Sequence, residues 1–253
     1  MAELIKRIVE PELFFGIVAP IGADVEITIK NLSDSLKDFG YRVVVIKITD
    51  IFKKLHEKLK LADKLHEEPL ERRYKSYIDF GDKLRKHFAD DTLLAQIAIA
   101  QIGDARAQLF PPENEEVPHK VAYIVRQFKR KEEVDLFRIV YGKLFFQISV
   151  YSQRSIRVEN LARKIANSHN LADPNRYRDA AENLVKIDEK EIDNDHGQRV
   201  GDIFHEADFI VSADVPSYTP KAQILRFIDL LFGCNSISPT KIEYGMYIAS
   251  LLL

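Results

Sequence analysis

Two rhythms alternate along this chain: short, almost unbroken apolar runs, and longer stretches in which apolar positions return every three or four residues. The first is how a strand buried on both faces of a parallel sheet reads, and the second marks an amphipathic helix. The runs at 13–18, 41–48, 117–125, 144–150 and 207–213 predict five strands, with 41–48 (YRVVVIKI) buried on both faces. Helices are predicted over about 24–38, 92–109, 131–140, 154–167, 219–232 and 240–253, and Gly40 suits the end of the first. The charged stretch 50–110 breaks near Glu68-Pro69 and Ala89-Asp91 and supplies two or three crossover helices. Within it Tyr74, Tyr77, Ile78, Phe80 and Leu84 form a packed stripe, with Arg72, Arg73, Lys75, Arg85 and Lys86 largely outside it. Residues 168–205 read as polar and irregular to helical. The fold class is therefore α/β, an open, mostly parallel five-stranded sheet with helices on both faces.

Ligands of such sheets bind at the carboxyl ends of strands, which directs attention to the loop at 19–24, Asp50, Arg126 and the basic turn at 154–157. Strand, tight turn at Gly22 and helix form the architecture of a phosphate-binding loop, G-x-x-x-x-G-K-[ST]. In the register Ala19 to Glu26, Val25 holds the lysine slot, Asp24 the second glycine slot and Glu26 the hydroxyl slot. Two carboxylates thus occupy the first helical turn, where the helix dipole stabilises them and where they oppose a triphosphate. The loop reads either as structural or as a site that binds nucleotide without turnover, through Ala19, Gly22, Ala23 and Asp24. Arg126, Lys129, Arg130 and Lys131 after strand three, and Arg154, Arg157 and Arg163 after strand four, are the remaining phosphate ligands. Arg154 and Arg157 share a helix face, as a basic lid would require. The alternative is that these cations pair with acids such as Glu132, Glu133 and Glu159.

Charge is nearly balanced, 37 Lys and Arg against 39 Asp and Glu, so the chain lacks the overall positive field of a duplex-binding protein, though local basic clusters remain. A single cysteine, Cys234, excludes an internal disulfide and a multi-cysteine zinc site. The seven histidines show no metal spacing and no Gly-x-Ser-x-Gly elbow occurs, so no catalytic or metal-ligating residue is assigned. The apolar run 13–21 is too short for a secretory or membrane segment, and a cytoplasmic protein is expected. The last residues, Leu251-Leu252-Leu253, read as a helix cut short.

Four stretches, 12–50, 122–162, 197–214 and 224–253, carry a resemblance. Together, and above all in the basic turn after strand three and the Tyr-Gly-x-x-Phe-Phe-x-Ile-Ser segment, the chain resembles the amino-terminal P-loop kinase-like domain of anti-phage deoxycytidylate (dCTP) deaminases. The resemblance implies a P-loop nucleotide-kinase-like fold over 1–233, with 234–253 opening a linker to a deaminase domain that is missing here. In the family that second half holds the zinc, through a His-x-Glu motif paired with a downstream Pro-Cys-x-x-Cys; no such pair occurs in this sequence, so deamination and zinc are not expected of this chain alone. The resemblance implies instead a regulatory module that binds a nucleotide, a deoxynucleotide by the family's chemistry, with a deaminase domain as partner and homo-oligomerisation or an RNA regulator as further expectations. An active nucleoside or nucleotide kinase with a divergent loop is the alternative, and a non-catalytic oligomerisation or RNA-binding scaffold the second.

Overall fold

The computed structural model describes residues 10–59, 64–111, 113, 116–189, 197–214, 220–234 and 236–250. Its centre is a five-stranded sheet of β1 (Leu13–Val18), β2 (Arg42–Lys47), β3 (Val121–Phe128), β4 (Phe145–Tyr151) and β5 (Phe209–Ser212), in the order β2-β3-β1-β4-β5. Every neighbouring pair is parallel, so the sheet is wholly rather than mostly parallel. The helices are α1 (Val25–Asp38), α2 (Phe52–Leu59), α3 (Leu70–Phe88), α4 (Leu93–Leu109), α5 (Lys131–Tyr141), α6 (Arg154–Ser168), α7 (Arg178–Glu189), the short α8 (Val200–Ile203), α9 (Pro220–Leu231) and α10 (Lys241–Ser250). Three helices thus fill the charged stretch between β2 and β3.

Alternation along β1 sorts the two helical layers. Phe14 and Val18 face a core built with Phe52, Phe80, Leu84, Ile102 and Phe137 from α2 to α5, while Phe15 and Ile17 face Ile29, Leu32, Ile224 and Ile228 from α1 and α9. Gly16 sits mid-strand because a Cβ there would meet the Phe128 and Phe145 rings at 2.5 and 2.7 Å. A third cluster joins Ile21 to α6 and α7 through Leu161, Ile165, Leu184 and Val185. Both faces of the sheet are therefore covered, as parallel sheets require.

Several boundaries differ from the sequence reading. β3 begins at Val121, four residues later than its apolar run, because Lys120 adopts a left-handed φ of 52° and Val117 is left exposed. It also continues to Phe128, so Arg126 lies inside the strand rather than after it. Gln127, at φ 63°, accompanies a register shift opposite Gly16 and Val18. β2 is an edge strand: Val43 and Val44 pack on opposite layers, yet Val45 is 45% exposed, since among the described residues no strand lies beyond it. Arg85, expected outside the packed stripe of α3, is 2% exposed. Asp50 lies in a 3₁₀ turn after β2, 3.5 Å from Lys47. α10 is held to α9 by Arg226, which pairs with Glu243 at 2.6 Å and donates to the Ser238 carbonyl. Parts of the expected segments at 1–12, 50–110, 111–116, 168–205, 219–232 and 240–253 lie outside the described residues.

Candidate functional site

A cavity of about 300 Å³ opens at the carboxyl ends of β1, β2 and β3. One wall is the loop Ile21–Asp24 with the start of α1, and the opposite wall is α3, through Arg73, Tyr74, Tyr77 and Ile78. The floor is apolar, from Phe52 and Leu94. Six cationic side chains line it, namely Lys47, Arg73, Arg85, Arg126, Lys129 and Lys164, against the four acids Asp24, Glu26, Glu133 and Asp188. Lys47, Arg73 and Arg85 also pair with Asp50, Glu67 and Asp82 outside the lining, so an anionic ligand entering this cleft competes with carboxylates already at the cations.

The loop is shaped by three local constraints. Gly22 has φ 87°, and a Cβ on it would lie 2.5 Å from the Arg157 carbonyl oxygen, so the backbone of α6 packs directly against it. Asp24 is the N-cap of α1, its carboxylate accepting from the Ile27 amide at 3.4 Å. Val25, in the slot where a phosphate-binding loop carries lysine, is 4% exposed and belongs to the core beneath α1. Glu26 does not stand unopposed, because Arg126 reaches it at 2.6 Å. Of the two acids read as opposing a triphosphate, one therefore caps a helix and the other is paired to a cavity cation.

Not all the residues assigned to phosphate are brought together. Gly22, Ala23, Asp24 and Arg126 line the cavity. Ala19 lies just behind it, fully buried, with its carbonyl accepting from Lys129 Nζ at 2.9 Å. Arg154 and Arg157 are outside the lining, and both turn to Glu189 at the end of α7. Arg157 is buried and also donates from Nε to the Ser152 carbonyl at 3.1 Å, so the two do not form an open basic lid. Arg130 pairs with Asp91 and Glu132, Lys131 with Glu206, and Arg163 with Glu159. For these cations the ion-pair alternative describes the geometry.

What the sequence reading misses is the α3 wall and the contribution of α7. Arg73 lies over the Tyr77 ring at 4.6 Å, and Tyr77 donates to Glu67 at 2.7 Å. Burial, then the Glu67 hydrogen bond, pushes the Tyr77 hydroxyl up to about 12, and burial raises Tyr74 as well. The Arg-Arg-Tyr-Lys-Ser-Tyr spacing in 72–77 carries this signal, since two tyrosines three apart with arginine beside them share a face. Asp188, 1% exposed, accepts from the Ile21 amide at 2.6 Å and from Lys129 Nζ at 2.6 Å. No pattern in 168–205 marks it, because its partners are 167 and 59 residues away in the chain. Deeper still, Arg85 bridges Asp82 at 3.0 Å and Glu133 at 2.8 Å, and Glu133 in turn accepts from the Lys129 and Arg130 amides at the start of α5.

No family model matches the sequence, and no curated protein matches it. Among solved structures the chain is similar to a shikimate kinase from Acinetobacter baumannii in complex with shikimate, with a TM-score of 0.45 and 9% identity over 90% of this chain and 97% of that one. It is similar to a gluconokinase from Sinorhizobium meliloti 1021, with a TM-score of 0.40 and 9% identity over 90% and 98% of the two chains. It is also similar to a putative fructose transport system kinase from Silicibacter sp. TM1040, with a TM-score of 0.40 and 15% identity over 82% and 92%. Among the described residues no group of three or more His, Cys, Asp or Glu side chains is placed to hold a metal ion, and no helix is long and apolar enough to cross a membrane.

Proposed function

We propose that this chain is a nucleotide-binding regulatory module, which takes a polyphosphorylated ligand, a deoxynucleotide by its resemblance, into the cavity between the β1–α1 loop and α3. The observation that carries the reading is the combination of a cation-rich cavity with a loop that has no phosphate-neutralising lysine. Arg126, Lys129 and Arg73 supply the positive charge, while Val25, which stands where that lysine would be, is turned into the core. A guanidinium such as Arg126 suits phosphate oxygens, and beside it Tyr74 offers a hydroxyl donor and both Tyr74 and Tyr77 an aromatic face, the Tyr77 hydroxyl proton being given to Glu67. With valine in place of the loop lysine that meets the transferred phosphoryl in a phosphate-binding loop, this reading has binding without transfer.

The partner in this reading is a deoxycytidylate deaminase domain. It rests on the resemblance through 224–253 and on α10, whose Tyr244 and Ile248, one turn apart, are 60% and 39% exposed and leave an apolar face for a neighbouring domain.

Calorimetric titration with dCTP, dCMP and ATP tests the first part. Binding of at least one of them, weakened by about tenfold or more in Arg126→Ala, is expected, since a hydrogen bond to a charged group is worth roughly 1.5–3 kcal/mol. Formation of a nucleoside diphosphate from dCMP and ATP would overturn the regulatory reading in favour of a kinase. For the second part, Arg126→Ala in a protein that joins this chain to the deaminase domain is expected to alter dCTP deamination, and an unchanged rate would remove the regulatory link.

A further inference from the structure

The strongest anion-binding groups of the β1–α1 loop are already engaged, by carboxylates of this same chain. Asp188 Oδ2 takes the Ile21 amide and Asp188 Oδ1 takes Lys129 Nζ, each at 2.6 Å. The next residue, Glu189, takes Arg157 and lies 3.5 Å from Arg154. Two successive acids at the end of α7 thus neutralise one loop amide and three of the cations that follow β3 and β4. Asp188 is also part of the cavity lining, so this internal anion sits at the edge of the space a ligand would enter.

The arrangement is asymmetric in a way that points to a guest. Arg157 has a side chain only 6% exposed, yet among the described residues its Nη1 has no hydrogen-bond partner, and its backbone closes on Gly22 from behind. A buried guanidinium nitrogen left unpaired is costly, and although Arg157 stands outside the cavity lining, a phosphate oxygen pushing past Ile21 and Gly22 would satisfy it. Helix α7 is fastened to the rest of the molecule by the third apolar cluster, through Ala181, Leu184 and Val185 against α6 and Ile21, and by these carboxylates at its end. Removing the carboxylate contacts loosens the end of α7 while its apolar anchor holds.

We propose that Asp188 and Glu189 form a resident anion that a polyphosphate displaces from the Ile21 amide, Lys129 and Arg157, so that ligand binding frees the carboxyl end of α7. This rests on the cavity being the ligand site, as argued above, and adds how occupancy is reported to the rest of the molecule. Phosphate gains the amide and the cations, Asp188 and Glu189 lose them, and the exchange leaves two carboxylates repelled by the newcomer. A ligand with differential affinity for the plugged and unplugged states shifts the equilibrium between them.

The test uses two probes, inorganic tripolyphosphate and dCTP, on the full chain and on Asp188→Asn with Glu189→Gln. In the unaltered chain, hydrogen exchange over 178–189 is expected to quicken when either probe binds, while α6 stays protected. The double variant is expected to bind tripolyphosphate about tenfold more tightly or better, because it retains hydrogen-bonding shape and loses two negative charges. Binding of dCTP with unchanged exchange over α7 and unchanged affinity in the variant would overturn the plug and leave the binding reading standing. Binding to the variant alone would support the plug. Absence of binding to both proteins would defeat the ligand site and the plug together. The exchange measurement needs no substitution, so a variant that failed to fold would not protect the proposal.

Discussion

Replacing Gly22 by alanine tests the most specific feature of the loop, the contact between its backbone and α6. Two costs add. At φ 87° any residue with a Cβ sits in the left-handed region, at about 1–2 kcal/mol. The new methyl would also lie 2.5 Å from the Arg157 carbonyl oxygen and 3.0 Å from its carbonyl carbon and Cβ, where ordinary contact begins at 3.4 Å. Those neighbours belong to the first turns of α6, which Val158, Leu161 and Ile165 hold against α7 and Ile21, so the helix yields only by disturbing that packing. Overpacking of this kind costs about 1–3 kcal/mol, for a total of about 2–5 kcal/mol. In a domain of this size that lowers Tm by roughly 4–20 °C, measurable by circular dichroism melting. Gly103 supplies the control: it lies exposed within α4 with nothing within 4 Å of a built Cβ, and alanine there is expected to stabilise by about 0.5–1 kcal/mol. A Gly22→Ala protein that melted within about 1 °C of the unaltered chain, beside a stabilised Gly103→Ala, would refute the packing of α6 against the loop.

Other substitutions address other levels. Arg85→Ala removes the cation between Asp82 and Glu133 and leaves both acids buried, so a loss of about 3–5 kcal/mol in urea unfolding is expected, and a loss below about 1 kcal/mol would mean that the bridge is not formed. Glu243 is held by Arg226 and the Thr240 amide well below its usual range, from 4.5 to about 2. A carboxylate depressed in the folded state contributes its stability above pH 4.5 and loses it as pH falls toward 2, so its carboxyl resonance in NMR is expected to titrate near 2 and Arg226→Ala to return it toward 4.5. Tyr77 is shifted the other way, from 10.0 to about 12, so its contribution is complete below pH 10 and lost as pH rises through 12. Glu67→Gln weakens the hydrogen bond and charge that assist burial, and ultraviolet titration is expected to show the tyrosinate appearing at lower pH.

Much of the fold is legible in the sequence because a strand covered on both faces is mostly apolar; 13–18 is so throughout, and 145–150 is so except at Gln147 and Ser149, which are buried by donating to the Ile203 and Phe204 carbonyls. β2 misleads for the same reason: helices cover both its faces, so it carries the pattern of a central strand, and nothing in Val43-Val44-Val45 records that one edge is open. The start of β3 is hidden because Val117 is apolar and exposed, while the turn at Lys120 depends on a backbone angle that lysine does not announce. At the site, the loop at 19–24 can be found because it follows a strand, and Arg126 because it closes the apolar run of one and lies near that strand's carboxyl end. Arg154 and Arg157 follow a strand too, but their orientation is set by Glu189, and the Asp188 contact joins segments 167 residues apart. Local spacing locates groups on elements. It does not say which carboxylate reaches them.

The strand order has a further consequence, for synthesis. β1, the hub of the sheet, leaves the ribosome before the other four strands, yet its partners among the described strands are β3 and β4. Until Phe128 and then Tyr151 have emerged, Phe14, Phe15 and Ile17 have no strand beside them and must wait as an exposed apolar segment. Parallel pairing between distant segments is slow because loop closure precedes its reward. A nascent chain halted before Val121 is therefore expected to be protease-sensitive and prone to aggregate, while one extended past Tyr151 acquires the central three strands together.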